Sequence, residues 1–417
     1  MGAGQFHRQG FFKTGHALVA NFKLHVYGLP SDKTKEPATF ISNIKKIDPQ
    51  LHISRRRFIG KLSNAAKILL AAQFVPLMVQ ACAAGKETQA SLHYKPLNGH
   101  NLRELARRKV HHGQEVFLNP MGLPRNGRFW QVLSWKLFHP NAYHKFLGDQ
   151  PLSPVSIDWD PIMAHHGVSI TFIKHATLLI KDVDRFLLVD PVFNDIFWFI
   201  KDFTPLQFKP ENMPRPHHVL ITHGHYDHLD KTALAKLDPG THVISPLGYK
   251  SEFKDLGMTR RTQLDWYEKY WDGDREITLL PANHWTMRNP FVGPNHSLWG
   301  GYLIKTAGGP VIYLSGDSAY FDGFEQFAED YDIDLAIFNL GAYAPRWFMA
   351  SSHMNASETV QAFQEVKARQ LLIAHWGTFR LGDEPVHFPP RDLRQALAEK
   401  GLLSQWVDLG HGQTYYF

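Results

Sequence analysis

The sequence predicts an α/β fold, and three observations carry that expectation. Short apolar runs bounded by turns begin at Gly167, helical stretches lie between them, and histidines or aspartates follow several of the runs. With 417 residues, 44% of them apolar and 13% aromatic, the chain has ample material for a buried core, which excludes a disordered protein. Apolar patterning predicts strands over 169–173, 177–180, 186–189, 218–222, 242–245, 276–280, 301–304, 311–315, 335–339 and 370–374. Helices fit 231–237, 321–331, 357–366 and 390–400, with Asp230 and either Asn355 or Ser357 as N-caps. A shorter helical stretch covers 101–110, inside an aromatic and proline-rich lobe that has no clean period.

The formal charge of +6 is concentrated at one end. Residues 1–81 hold 12 Lys/Arg against 3 Asp/Glu, and the remainder holds 33 against 36, a net of −3. A polyanion partner would need the basic excess on the folded part, so no nucleic-acid partner is expected. The basic end instead resembles an export signal. Ser54-Arg55-Arg56-Arg57-Phe58-Ile59-Gly60-Lys61 has the form of a twin-arginine motif, a mildly apolar run follows over 65–79, and Val79-Gln80-Ala81-Cys82 has the form of a lipoprotein processing site. Cys82 is the single cysteine, so no internal disulfide can form. Lys67 interrupts the apolar run and Gln80 departs from the usual processing pattern, which leaves an amphipathic helix with an incidental cysteine as the alternative.

The expected organisation is an extension over 1–53, attributed to an over-extended gene start, and a signal over 54–82 ending at a lipidated Cys82. A tether and N-terminal lobe over 83–160 and a catalytic domain over 161–417 follow. The corresponding location is the periplasmic side of a membrane, held there by lipid. A cytoplasmic location follows if the signal does not operate.

The run His223-Gly224-His225-Tyr226-Asp227-His228 leaves a predicted strand and packs three imidazoles and a carboxylate into six residues. Zinc prefers such nitrogen and oxygen donors, and a tight loop after a strand can aim them at two neighbouring ions. Gly224 permits the close turn. His284, Asp317 and His375 each follow another predicted strand, so four strand ends converge on one pole. Each of the three would be weak evidence alone, because a histidine or aspartate after a strand is commonly a turn residue. The paired histidines His111/His112, His165/His166 and His217/His218 lack the loop context and read as surface or structural.

These residues and the blocks around them resemble the metallo-β-lactamase superfamily, and within it the family of N-acyl-phosphatidylethanolamine-hydrolysing phospholipase D. The likeness covers roughly residues 110–417, through FLNP, VSIDWD, HATLLI, LVDPVF, LITHGHYDHLD, NHW, SLWGGY, SGDSAYF, LGAYAPRWFM and AHWGTFRL. It implies an αβ/βα sandwich of two mixed β-sheets flanked by helices, with the metals in the cleft between them. It also implies two zinc ions per chain, one held by His223, His225 and His284, the second by Asp227, His228 and His375, with Asp317 bridging both. Lys174 stands where the family usually has glycine, which bears on the local turn.

Further roles are assigned within the same resemblance. Asp317 and His353 are the catalytic candidates, Asp317 orienting a metal-bridging hydroxide and His353 stabilising phosphoryl oxygens or protonating a leaving group. Asp190 is either a carboxylate that fixes a ligand histidine or a turn former. Arg346, Trp347 and Phe348 either hold a lipid phosphate beside acyl chains or pack in an aromatic core. The implied activity is phospholipase D-type cleavage of N-acyl-phosphatidylethanolamine-like lipids to phosphatidate and N-acylethanolamine. The alternative is a lactonase or small-molecule phosphoesterase, because fold does not fix substrate. A non-catalytic lipoprotein scaffold with a structural metal is the third reading. The expected partners are a phospholipid and a membrane surface; monomer and homodimer stay open.

Overall fold

Apolar side chains on both faces of most strands demand cover on both sides, and the chain meets that demand by stacking two sheets and flanking them with helices. In the computed structural model, residues 93–123, 135, 139–148, 152–197 and 200–417 are described. The export-signal stretch and Cys82 lie outside the described residues. The described residues belong to one unit, Ala90–Phe417, so the N-terminal lobe from residue 93 onward folds together with the region that follows it.

The first sheet contains β1 (Val168–Lys174), β2 (Thr177–Asp182), β3 (Arg185–Val189), β4 (His218–Leu220), β5 (His242–Pro246), β6 (Arg261–Leu264) and β13 (Thr414–Tyr416) in the order β13-β1-β2-β3-β4-β5-β6. The second contains β7 (Lys269–Asp272), β8 (Arg275–Leu280), β9 (Gly301–Lys305), β10 (Val311–Leu314), β11 (Leu335–Asn339) and β12 (Gln370–Ala374) in the order β12-β11-β10-β9-β8-β7. Both are mixed. Strands β3 to β6 run parallel, as do β10 to β12, while the other pairings are antiparallel.

Successive side chains on a strand point to opposite faces, and the burial follows that period. Leu178, Ile180, Leu187, Val189, Leu220 and Ile244 join the large core that also takes in Ile277, Leu279, Tyr302 and Ile312 of the second sheet. The intervening Leu179, Leu188, Val219, Ile221 and Val243 join a second cluster with Ala233, Leu234 and Phe253 from helices α3 (Lys231–Leu234) and α4 (Lys250–Lys254), which cover the outer face. Completing the set are α1 (Leu102–Arg107), α2 (Trp159–Ala164), α5 (Phe324–Asp330), α6 (Arg346–Met349), α7 (Ala356–Glu365) and α8 (Phe388–Lys400). Each fully buried Leu, Ile or Val contributes about 1.5–3 kcal/mol.

The ten expected strands all form, with ends shifted by a residue or two. Three further strands, β6, β7 and β13, were not expected. RTQL, KYWD and TYY are polar or half-buried, so they lack the apolar alternation that marks the central strands. Asp230 caps α3 through Thr232 N–H, and Asn355 caps α7 in a reciprocal capping box with Glu358. The N-terminal lobe is pinned to the second-sheet side by Arg103 on Asp330 at 2.7 Å and by Leu97 N–H on Asp322. Lys174 is buried and ion-paired with Asp202.

Candidate metal centre

Strands β3, β4 and β12, and the segments that follow β8 and β10, deliver donors to one pole. His223, His225, Asp227 and His228 follow β4, His284 follows β8, Asp317 follows β10 and His375 follows β12. All seven expected ligand residues therefore meet. They fall into two groups of donors, His223/His225/His284/Asp317 and Asp227/His228/His375, and His175 joins the second.

Donor spacing tests whether a metal fits. With bonds of about 2.0–2.1 Å and tetrahedral angles, neighbouring donor atoms lie about 3.3 Å apart. In the first group His223 Nε2 is 2.8 Å from His225 Nδ1, His284 Nε2 is 3.3 Å from His225 Nδ1, and Asp317 Oδ2 is 3.8 Å from both His223 Nε2 and His284 Nε2. In the second, His228 Nε2 lies 3.6 Å from Asp227 Oδ2 and 3.2 Å from Asp317 Oδ2. His375 Nε2 lies 3.4 Å from Asp227 Oδ2 and 3.4 Å from Asp317 Oδ1. In the first group His225 Nδ1 faces nitrogens of both His223 and His284, and its single proton or lone pair serves one of them well, whereas a cation takes all three as ligands. The buried Nε2 atoms of His228 and His375 have no hydrogen-bond partner among the described residues. Asp317 reaches both groups, as a bridging carboxylate must.

The charges agree with the spacing. Burial alone would push His228 down, yet Asp317, Asp227 and Asp190 hold its pKa well above the ordinary histidine value. Three carboxylates therefore call for positive charge where a metal would stand. His223 is held well below the ordinary value, by burial first and then by His228.

Outer contacts aim the ligands. Buried Asp190 accepts from His228 Nδ1 at 2.8 Å, from Thr222 N–H at 2.8 Å and from Thr222 Oγ1 at 2.6 Å. The same Thr222 Oγ1 lies 3.0 Å from His223 Nδ1. Asp190 occupies the left-handed region at φ 39°, a strained conformation for a residue with a side chain, and Thr177 Oγ1 fixes its carbonyl at 2.8 Å. Asn339 Nδ2 donates to Asp317 Oδ1 at 2.9 Å, and the Ser352 carbonyl lies 3.0 Å from His284 Nδ1. Asn119, in the FLNP block, donates to the His284 carbonyl at 2.8 Å, so the N-terminal lobe braces a ligand loop. His375 has φ 68°, and Gly341 packs so close that a Cβ there would meet its carbonyl oxygen at 2.1 Å.

His353 sits 3.9 Å from Asp317 Oδ2, with its ring 5.3 Å from His284 and 5.7 Å from His375. It thus faces both donor groups. Burial pushes its pKa down to about 3, against the pull of Asp317. Arg346 is held in an ion pair beside the His353 loop. Its guanidinium donates to both carboxylate oxygens of Glu358 at 2.9 and 2.7 Å and to the His353 carbonyl at 2.9 Å. This commits it to holding the His353 loop against the start of α7. Trp347 is exposed and meets Trp135 edge-on at 6.1 Å, and Phe348 packs beside Trp347.

His175 is the site residue that the sequence reading left out. It is buried at φ 49° in the turn between β1 and β2, its Nε2 is 3.1 Å from Asp227 Oδ2, and its ring lies 4.0 Å from that of His375. Its carbonyl accepts from His375 N–H at 2.7 Å. The signal available was its place in the HATLLI block, directly after β1, just as the other ligands follow their strands.

Elsewhere, His111 Nε2 and His112 Nε2 lie 2.5 and 2.7 Å from the two oxygens of buried Asp265, with Lys109 Nζ 2.6 Å from the second oxygen. His165 contacts the Val168 carbonyl. His217 and His218 lie at the opposite end of β4 from the metal ligands.

Comparison with known proteins agrees with this arrangement. Residues 185–376 match the beta-lactamase superfamily domain. The chain is 30% identical over 311 residues to N-acyl-phosphatidylethanolamine-hydrolyzing phospholipase D 1 of Caenorhabditis elegans, covering 70% of this chain and 87% of that protein. The chain belongs to the metallo-β-lactamase superfamily, in the branch that contains these phospholipases. A mitochondrial N-acyl-phosphatidylethanolamine-hydrolyzing phospholipase D of Saccharomyces cerevisiae is 31% identical over 52% of this chain and 48% of its own length. A crystal structure described as that of "a possible metal-dependent hydrolase" from Veillonella parvula superposes with a TM-score of 0.51 at 17% identity, covering 61% of this chain and 100% of that one. This metallo-β-lactamase-fold chain is accordingly a metal-dependent hydrolase whose two His/Asp clusters fit a dinuclear site.

Proposed function

We propose that the protein is a zinc-dependent phosphodiesterase of the phospholipase D type, cleaving N-acyl-phosphatidylethanolamine-like lipids to phosphatidate and N-acylethanolamine. The observation that carries this reading is the 30% identity extending over 87% of the C. elegans phospholipase, joined to a complete dinuclear donor set. The N/O donor chemistry suits zinc. Bound there, two divalent ions supply Lewis-acid stabilisation of phosphoryl oxygens and an acidified water.

The chain's own residues do the rest. Asp317 orients the attacking water and takes its proton, while Asn339 fixes the carboxylate. His353 hydrogen-bonds a phosphoryl oxygen, and Arg346 positions it through the loop carbonyl. Cleavage of the bond from phosphorus to the ethanolamine oxygen leaves the water oxygen on phosphatidate and a proton on the departing alcohol. Aromatic groups beside the ligands suit acyl chains: Tyr226 lies between His225 and Asp227 with Phe197 5.1 Å away, and the Trp285 ring is 4.7 Å from His225.

Mass spectrometry of products from N-acyl-phosphatidylethanolamine and the purified metal-loaded protein tests this. Phosphatidate and N-acylethanolamine in equal amounts are expected; turnover of lactones with no phospholipid product would refute it. His353→Ala is expected to lower kcat by about 10²-fold with metal content unchanged. No helix among the described residues is long and apolar enough to cross a membrane. We infer that attachment runs through a lipidated Cys82, and radiolabelled palmitate should be incorporated by the wild type and not by Cys82→Ser.

A further inference from the structure

The pole of the first sheet opposite the metal centre carries a cationic cavity. Arg185 opens β3, His218 opens β4, Arg260 immediately precedes β6 and Asp272 closes β7. With Arg215 and His217 they line a hollow of about 400 Å³, a size suited to a small ligand. Because β3 to β6 run parallel, the lining that these strands supply comes from their starts, whereas the metal ligands come from strand ends. His218 and His223 are five residues apart, which at about 3.3 Å per residue separates the two sites by roughly 16 Å.

The lining sets three guanidinium groups against the carboxylate of Asp272. Arg185 pairs with Asp184 at 2.5 Å and Asp272 at 3.2 Å, and Arg215 pairs with Asp238 at 2.9 Å. Arg260 makes no ion pair among the described residues. His217 Nδ1 accepts from Phe186 N–H at 3.1 Å, so the neutral ring carries its proton on Nε2 and is a donor. His218 is 4% exposed, lies 2.9 Å from Asp272 through Nε2, and has a buried Nδ1 with no partner among the described residues. Forked guanidinium donors and the Nε2–H of His217 around a concave site match the oxygens of a phosphate.

We propose that this cavity binds the phosphate group of a small soluble phosphomonoester, independently of the metal centre and of the reaction carried out there. Isothermal titration of the metal-loaded protein with glycerol 1-phosphate tests it. The expected result is binding that Arg260→Glu weakens at least tenfold and Arg260→Lys weakens less. His223→Ala should bind glycerol 1-phosphate as the wild type does while losing hydrolysis, which separates this site from the metal centre. Arg260 is exposed, so its variants are expected to fold and to keep wild-type hydrolysis. Equal affinity in wild type and Arg260→Glu, or loss of binding in His223→Ala, would overturn the proposal. A second arm uses vesicles containing phosphatidic acid. Arg260-dependent vesicle binding without binding of glycerol 1-phosphate would assign the phosphate to a lipid headgroup and overturn the soluble ligand.

Discussion

Two clusters in this protein draw on the same residue types and reach opposite ends. His111, His112 and Asp265 are as closely grouped as the donors of the metal centre. In that cluster each imidazole meets a carboxylate oxygen at 2.5 or 2.7 Å, Lys109 adds a cation at 2.6 Å, and Trp266 N–H donates to Asp265 at 2.8 Å. The carboxylate is saturated with donors, and the ring of His111 stacks on Trp266 at 4.2 Å. In the metal centre the nitrogens of His223 and His225 face each other, and Asp317 Oδ2 stands 3.8 Å from His223 Nε2 and 3.2 Å from His228 Nε2, looser than the 2.5 and 2.7 Å contacts of Asp265. Proximity of histidine and aspartate is thus common to both. What separates them is whether the carboxylate is filled by close donors, as Asp265 is, or stands more loosely among several imidazole nitrogens, as Asp317 does.

This contrast can be broken most forcefully at the bridge. Asp317→Ala or His223→Ala is expected to lower hydrolysis by at least about 10²–10³-fold and to reduce metal per chain, read by elemental analysis. Asp190→Asn acts one step further out, and a chelator-competition titration should show metal affinity about 10–100-fold weaker in a folded protein. Asp265→Ala should leave metal content and kcat unchanged while costing about 3 kcal/mol in urea unfolding, because it strands buried His111. Loss of metal in that variant would erase the distinction.

The pH dependence follows from the same pair. Burial would raise the pKa of Asp265, but hydrogen bonds from His111 and Lys109 hold it below the ordinary carboxylate value. Its stabilising contribution is therefore fully present above the unfolded value of about 3.9 and is lost as pH falls through the folded value. The stability gap between wild type and Asp265→Asn should shrink on acidification below about pH 4. His112 is exposed, so His112→Ala is expected to cost no more than about 1 kcal/mol, with metal content unaltered.

Much of the metal pole was legible because its signals are local. Six residues carry four ligands, and His284, Asp317 and His375 stand shortly after apolar strands. His175 was not, since it sits in a hairpin turn and reaches Asp227 only through space. Arg346 beside Trp347 and Phe348 fitted either a lipid-phosphate contact or aromatic packing, and its pairing with Glu358 depends on how α6 and α7 meet, which no spacing reveals. The edge strands β6, β7 and β13 escaped for a related reason: a polar strand is defined by its neighbours.

The Asp190–Thr222 contact has a consequence for how ions enter. One carboxylate steers His228 directly and His223 through a hydroxyl, while Asp317 reaches donors of both groups. Ordering either half removes conformational freedom from the other, so the second ion meets a site already arranged for it. Uptake by the metal-free protein should therefore be cooperative, with half-loaded molecules scarce during a titration.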